Sequence, residues 1–393
     1  MTINKEEARK IFISTYGVEP QVIRAPGRIN IIGEHTDYND GFVLPAAIDL
    51  AAYFYIQKSN SNEINLVSLD FSETHGLNIN DPIQPVEFDW VNYLLGVIDQ
   101  FNIAGHKLEG FNLMFHSTIP MGAGLSSSAA LECGFAWALN ELFDLDIDPI
   151  SIALMSQSAE HKFAGVQCGI MDQFASCMGK EGHVIKLDCR NLSYEYYPAD
   201  FKDYEIILFD SKVKHNLTDT EYNVRHAQCK EGVASIQKIK PSVKSLRDAS
   251  LEDLQVARKL MDEIVYRRCK YVITENLRVQ QVCEALMIGD IITVGALMKE
   301  THLGLKDDYQ VSCKELDTLI EIASTCNGFI GGRMMGGGFG GCTINLILKS
   351  KVDEVIDHTL RIYKNITGIE AMCYRVSISE GVSNRTLEFN NEI

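Results

Sequence analysis

The order of strand-like and helix-like segments in this chain predicts an α+β fold. Strands and helices mix without the regular βαβ rhythm that a doubly wound parallel sheet requires. At 393 residues the chain is long for one hydrophobic core, so two domains are expected. Helical patterns concentrate in the second half, which puts the boundary near residue 195 and divides the chain into 1–195 and 196–393. No repeat, low-complexity segment or flexible linker interrupts either part.

Taken in order, Asn4 to Tyr16 reads as an amphipathic helix with Ile11, Phe12 and Tyr16 on its apolar side. Short strands are expected at Val22–Ala25, Ile29–Ile32, Leu50–Lys58 and Ile64–Leu69, where β-branched and aromatic residues cluster. Trp90–Ile103 carries helical spacing. Phe111, Leu113 and Phe115 alternate with Asn112, Met114 and His116, the pattern of a half-buried strand. A small, apolar, helix-compatible run follows from Ala129 to Leu142. A second helix is expected over Pro149–Ala164, with Asp148 as cap and Pro149 at its first position. A short helix at Ile170–Met178 and a strand at Tyr204–Asp210 come next. Helical patterns then cover Thr218–Gln237, Leu251–Met287, Ile291–His302 and Lys314–Ala323. The chain closes as strand (Thr343–Leu348), helix (Val352–Tyr363) and strand (Met372–Ile378).

Apolar residues make up 46% and charged residues 23%, ordinary values for a globular protein. The net charge of −17 argues against nucleic acid or an anionic membrane as partner. It leaves an anionic small molecule open, because a local cradle of N–H groups overrides a distant field. Eleven scattered cysteines contain no CxxC pair, which points to reduced, buried thiols and not to a disulfide framework. Met1 to Lys10 is polar and no apolar run approaches the ~20 residues that span a bilayer, so a cytoplasmic protein is expected.

Three stretches carry chemistry. Pro120-Met121-Gly122-Ala123-Gly124-Leu125-Ser126-Ser127-Ser128-Ala129-Ala130 places a glycine turn and three serines before a helix. Such a turn feeds hydroxyls and unpaired N–H groups into a helix N-terminus, a natural phosphate cradle. Capping needs one serine, not three. The P-loop pattern GxxxxGK[ST] is absent, as are the HRD and DFG marks of protein kinases. Gly336–Gly341 satisfies GxGxxG formally, but a strand-like segment follows it where a dinucleotide fold needs a helix. That stretch is expected to be a glycine-lined wall against which a ligand or the Gly122–Ser128 loop packs.

The second stretch, Gly27 to Gly41, holds Arg28, Asn30, Glu34, His35, Thr36 and Asp37 between glycines. Carboxylate, imidazole and hydroxyl groups on a tight turn suit the paired donors and acceptors of a sugar. The ligand spacing is poor for a metal, and a polar surface loop has the same composition. The third, Glu160 to Gln173, puts Glu160 near one helix end and Asp172 near the start of the next. One acid could hold Mg2+ beside phosphate oxygens and the other accept a proton from an attacking hydroxyl. Solvated helix ends produce the same pairing.

Together these stretches resemble the GHMP small-molecule kinases and, among them, the galactokinases. Gly27–Tyr38 is similar to the sugar signature, Pro120–Ala130 to the shared ATP loop and Arg333–Cys342 to the third family motif. Trp90/Asn92-Tyr93, Cys168–Gln173, Lys214-His215, Tyr222–Arg225 and Asp307–Tyr309 add matches in family order. Met335, Asp40, Gly304 and Lys306 depart from the residues usual in relatives and fall outside the site positions.

The resemblance implies a two-domain fold, ribosomal-protein-S5-like then ferredoxin-like, with the site in the cleft between domains. It implies ATP-dependent phosphorylation of galactose at the C1 hydroxyl, the first kinase step of galactose catabolism. Its rivals are N-acetylgalactosamine as substrate and a silent sensor of sugar and ATP. Thr36–Gly41 favours galactose, and the complete Ser-Ser-Ser-Ala-Ala stretch with Asp172 argues against the silent sensor. By this resemblance Asp172 is the base and Arg28 sits beside it. Glu34, His35, Asp37, Gly169 and Tyr222 hold the sugar, with Gly337 and Gly338 as backbone contacts. Gly122, Ala123, Gly124, Leu125, Ser126, Ser127 and Ser128 cradle ATP. Trp90 lines the adenine pocket or fills the core face of its helix. Ser127 or Ser128, with Glu160, holds Mg2+. The partners implied are galactose and ATP alone, with no nucleic acid, no membrane and a monomeric chain.

Overall fold

A computed structural model of the chain describes residues 3–87, 89–166, 168–213 and 218–386. Helix α1 (Lys5–Tyr16) starts where the Asn4 side chain accepts the Glu7 N–H and stops at Gly17, whose φ is 76°. The two strands expected at 22–25 and 29–32 are one, β1 (Gln21–Asn30), which passes Pro26 through a register shift between Pro26 and Arg28. β2 (Phe42–Val43), β3 (Pro45–Lys58), β4 (Glu63–Ser68) and β5 (Glu73–Asn78) follow, then α2 (Asp89–Ile103), β6 (Phe111–Ser117) and α3 (Ser127–Leu142).

β6 corrects its predicted pattern, because Phe111 through His116 are all buried. Phe111, Leu113 and Phe115 face the core shared with α2 and α3. Met114 packs with Ala8 and Phe12, so α1 covers the face that alternation assigned to solvent.

α4 (Pro149–Ala159) is capped by Asp148, which accepts the N–H groups of Ile150 and Ser151. The helix expected to reach Ala164 widens at Glu160 into a π-helical turn that ends at Gly165. α5 (Met171–Met178), β7 (His183–Asp188), β8 (Tyr194–Pro198), β9 (Tyr204–Asp210) and α6 (Thr218–Gln237) come next. The single helix expected over 251–287 is two, α7 (Leu251–Ala257) and α8 (Glu263–Met287), separated by a 3-10 turn and the extended residues Met261 and Asp262. Leu254 and Ala257 share one core with Val265 and Cys269, so apolar spacing runs through the break without registering it. α9 (Ile291–Leu303), α10 (Lys314–Ser324), β10 (Phe329–Met334), β11 (Cys342–Leu348), α11 (Val352–Thr367), β12 (Met372–Val376) and β13 (Ser383–Asn384) complete the described chain.

The strands form a six-stranded sheet in the order β13-β1-β3-β6-β4-β5, a four-stranded sheet β10-β11-β9-β12 and a three-stranded sheet β2-β7-β8. β9 shows how the second sheet is used. Ile207 and Phe209 face α10 and α11, while Ile206 and Leu208 join Ile29, Ile31 and Ala46 in a core continuous with the first sheet. That shared core holds the two halves on either side of a cleft, and both halves reach into it. Among the described residues no helix is long and apolar enough to cross a membrane.

Candidate active site

The chain leaves β1 at Asn30 and turns back within ten residues, which demands unusual backbone. Gly33 has φ 97°, and a Cβ there would lie 2.7 Å from the Phe42 carbonyl oxygen. Thr36 Oγ1 closes the turn on the carbonyls of Gly33 (2.9 Å) and Phe42 (2.6 Å). Glu34 is buried and held from one side: its Oε1 accepts Arg333 Nη1 at 3.1 Å and the Gly336 N–H at 2.9 Å. Arg333 has no exposed surface and also donates to the carbonyls of Ile31, Asn30 and Met334. A buried carboxylate is tolerable because that cation is fixed beside it.

Burial depresses the His35 pKa to about 4, which makes the ring neutral at physiological pH. Its Nδ1 meets the Tyr38 hydroxyl at 2.8 Å, and Tyr38 meets the Tyr309 hydroxyl at 2.7 Å. Asp37 moves the other way, up to about 7, through burial first and the nearby Asp172 charge second. It fits only because residue 169 is glycine: a Cβ on Gly169 would stand 1.8 Å from Asp37 Oδ2. Tyr222 lies against both His35 and Tyr38, with centroids 5.6 and 4.9 Å away.

Arg28 and Asp172 form a two-point pair, Nε to Oδ1 at 2.8 Å and Nη2 to Oδ2 at 3.0 Å. Burial works against the Arg28 charge, but Asp172 and Glu34 more than offset it. Arg28, Glu34, His35, Asp37, Gly169, Asp172 and Tyr222 all line one cavity of about 130 Å3, together with Gly336 and Gly337. Gly338 does not reach it and instead abuts the Val311 carbonyl, 2.1 Å from where its Cβ would be.

The serine stretch adjoins this cavity through Arg28, whose Nη1 donates to the Gly124 carbonyl at 2.6 Å. Gly122 and Gly124 have φ of 72° and 74°, and Ser126 shares that left-handed conformation at 58°. No side chain caps α3, because the Ser126 hydroxyl is turned to Asp172 Oδ2 at 2.5 Å. The first turn of the helix therefore faces the loop open to an anion. The Gly336–Gly341 stretch is the β10–β11 hairpin, and it backs this loop: Cβ atoms at Gly336 and Gly341 would sit 3.6 Å from Gly124 and Ala123 backbone atoms. The wall anticipated from sequence is there.

Glu160 lies in the π-turn, buried, accepting Gln173 Nε2 at 2.6 Å and the Cys168 thiol at 3.2 Å. Burial raises its pKa, and hydrogen bonds from Cys168 and Ser128 oppose the rise. Beyond Ser127 and Ser128 a second cavity, about 190 Å3, is lined by Trp90, Tyr93, Phe71, Phe115 and Met121. Trp90 is mostly buried and donates Nε1 to Glu73 at 2.6 Å, so it fills its helix face and lines this cavity at once. A flat, apolar slot beside a phosphate cradle suits a nucleotide base.

Residues 10–58 match the family model for the galactokinase galactose-binding signature, 92–180 that for the GHMP kinases N-terminal domain and 279–363 that for the GHMP kinases C-terminal domain. The chain is 39% identical to a galactokinase of Clostridium acetobutylicum over 96% of its length and 97% of the relative's. It is 40% identical to a galactokinase of Roseiflexus sp. over 96% of each chain. The chain belongs to the galactokinase family of GHMP kinases. The crystal structure of Lactococcus lactis galactokinase complexed with galactose superposes with a TM-score of 0.91 at 33% identity, covering 95% of this chain and 98% of that one. Methanococcus jannaschii mevalonate kinase shares the fold, with a TM-score of 0.64 at 20% identity over 92% and 99% of the two chains.

In this family member the sequence motifs point to Arg28, Glu34, His35, Asp37, Asp172 and Tyr222 on the cavity wall, but give no role to Val166, Met171 and Asn223, which also line it, or to the side chains that hold the wall in place. Arg333 shows in the sequence only as part of the Arg333–Cys342 motif, and nothing in its surroundings links it to Glu34, 299 positions away. Tyr38 and Tyr309 likewise fall inside motifs that assign them no role. Phe71, on the wall of the second cavity, sits in a stretch without signal, and Met121 falls inside the glycine–serine stretch, which gives it no role of its own. His161 bonds the Cys168 carbonyl at 2.9 Å and supports the loop. Lys214, His215 and Gln167 lie outside the described residues.

Proposed function

We propose that the chain transfers the terminal phosphoryl group of ATP to the C1 hydroxyl of galactose. The observation that carries this reading is the seam between the two cavities. Arg28 binds Asp172 with one edge of its guanidinium and the phosphate-loop carbonyl of Gly124 with the remaining nitrogen. A carboxylate on the sugar side and an anion cradle on the nucleotide side thus share one cation.

In this reading galactose occupies the smaller cavity, its hydroxyls paired with Glu34, neutral His35, Asp37 and the backbone around Gly169 and Gly337, with Tyr222 against the ring. The C1-hydroxyl oxygen forms a bond to the γ-phosphorus as the bond to the bridging β–γ oxygen breaks and its electron pair leaves with ADP, and the hydroxyl proton passes to Asp172. Arg28 holds Asp172 by two hydrogen bonds and stabilises charge on the moving phosphoryl group. Backbone N–H groups of Gly122 to Ser128 and the start of α3 receive the phosphates, and the base lies against Trp90. Mg2+ fits the donors available: one buried carboxylate, Glu160, and the hydroxyls of Ser127 and Ser128, beside incoming phosphate oxygens. Bound there it would neutralise phosphate charge. Eleven free thiols suit the cytoplasm.

A coupled ATP assay with galactose, its epimers and N-acetylgalactosamine tests the substrate. Galactose should turn over fastest; a faster rate on the acetylated sugar would overturn the assignment.

A further inference from the structure

Ser126 stands where the backbone is left-handed, at φ 58°, a conformation that glycine adopts freely and serine does not. It makes no cap bond to α3. Its single hydroxyl proton is spent on Asp172 Oδ2, at the 2.5 Å distance of a charge-assisted O–H···O bond. A strained backbone that aims one hydroxyl at a reacting carboxylate is an observation that calls for a role.

The arrangement is asymmetric. Oδ2 accepts both Arg28 Nη2 and Ser126 Oγ, which fills the two acceptor sites of that oxygen. Among the described residues Oδ1 accepts only Arg28 Nε and keeps one acceptor site open. The loop cannot drift from this geometry, because the Arg28 N–H bonds the Leu125 carbonyl at 3.2 Å and Arg28 Nη1 bonds that of Gly124.

We propose that the Ser126 hydroxyl is a positioning group for Asp172, not a phosphate ligand: by occupying Oδ2 it leaves Oδ1 as the oxygen that receives the proton of the C1 hydroxyl. The inference rests on the reading of Asp172 as proton acceptor. In the step, the sugar O–H bond breaks toward Oδ1, its electron pair remains on the sugar oxygen as the bond to phosphorus forms, and Ser126 keeps its own proton throughout. The nucleotide then relies on Ser127, Ser128 and backbone N–H groups.

The test compares Ser126→Ala and Ser126→Gly in the full chain. Gly relieves the backbone strain and removes the hydroxyl, so it separates the two effects and keeps the fold. Both variants should lose about 10- to 100-fold in kcat, as expected for a lost hydrogen bond to a charged group. The KM for ATP, and the calorimetric affinity for a non-hydrolysable ATP analogue, should stay at the wild-type value. Ser126→Ala added to Asp172→Asn should cause no further loss. Weakened analogue binding at unchanged kcat would make Ser126 a phosphate ligand and overturn the proposal. So would a Gly variant as fast as wild type. An Asp172→Asn variant with wild-type turnover would instead remove the proton-acceptor reading beneath it, a separate result.

Discussion

Replacing Gly169 by alanine adds one methyl group, and the structure says where it goes. The new Cβ would lie 1.8 Å from Oδ2 and 2.4 Å from Cγ of Asp37, a half-buried carboxyl that lines the first cavity. Gly169 is not in the left-handed region, so alanine meets no backbone penalty and the clash must be relieved by Asp37. Reaching ordinary contact requires the carboxyl to retreat by more than an ångström, enough to break any hydrogen bond it makes to a sugar hydroxyl. A hydrogen bond to a charged or strongly polar partner contributes about 1.5–3 kcal/mol, so galactose affinity should fall about 10- to 100-fold. ATP affinity should not move. Calorimetric titration of both ligands measures this, and a double-mutant cycle decides the cause: in an Asp37→Ala background, Gly169→Ala should cost almost nothing further. Unchanged galactose binding in the single variant, or an equal loss of ATP binding, would refute the reasoning.

Asp37 also makes a pH prediction. Its pKa rises from 3.8 to about 7 in the folded state, so the folded chain binds more protons between those values and loses stability as pH rises through that window. Asp37→Asn should therefore melt higher than wild type at pH 8, on the order of 2 °C, with the gain vanishing near pH 4 in thermal denaturation. Arg333→Met would strand the buried Glu34 carboxylate and should cost about 3–5 kcal/mol in urea unfolding, much of it recovered by adding Glu34→Gln. Trp90 and Trp137 are the two tryptophans, and the first lines the nucleotide-type cavity. ATP should change the fluorescence of a Trp137→Phe variant and leave that of Trp90→Phe unchanged.

What could be read from sequence was whatever acts within a few positions. The Asp148 cap, the serine stretch before α3 and the polar turn after β1 each carry their reason locally. What escaped depends on partners far along the chain. β6 looked half-exposed because α1, about a hundred residues earlier, supplies its second cover. The α7–α8 break hid because both helices pack on one core. β7 and β8 were passed over, since Lys186 and Glu195 interrupt the apolar pattern of a small, partly exposed sheet. In the site, residue types that touch the cavity were named from motifs, yet the anchors Arg333, Tyr309 and Gln173 act by crossing from other elements.

The return of β13 to the first sheet bears on how this protein is made. Ser383 and Asn384 pair with Arg24 and Ile23 on the outer edge of β1, the strand that carries Arg28. Arg24 reinforces the join by donating to the Glu380 carbonyl and the Ser379 hydroxyl. During synthesis β13 cannot pair with that edge until the chain has been made through residue 384. An unpaired edge is a template for another chain's strand. A molecule without β13 thus carries its adhesive edge on the strand that carries Arg28, and the arrival of Ser383 and Asn384 is what closes it.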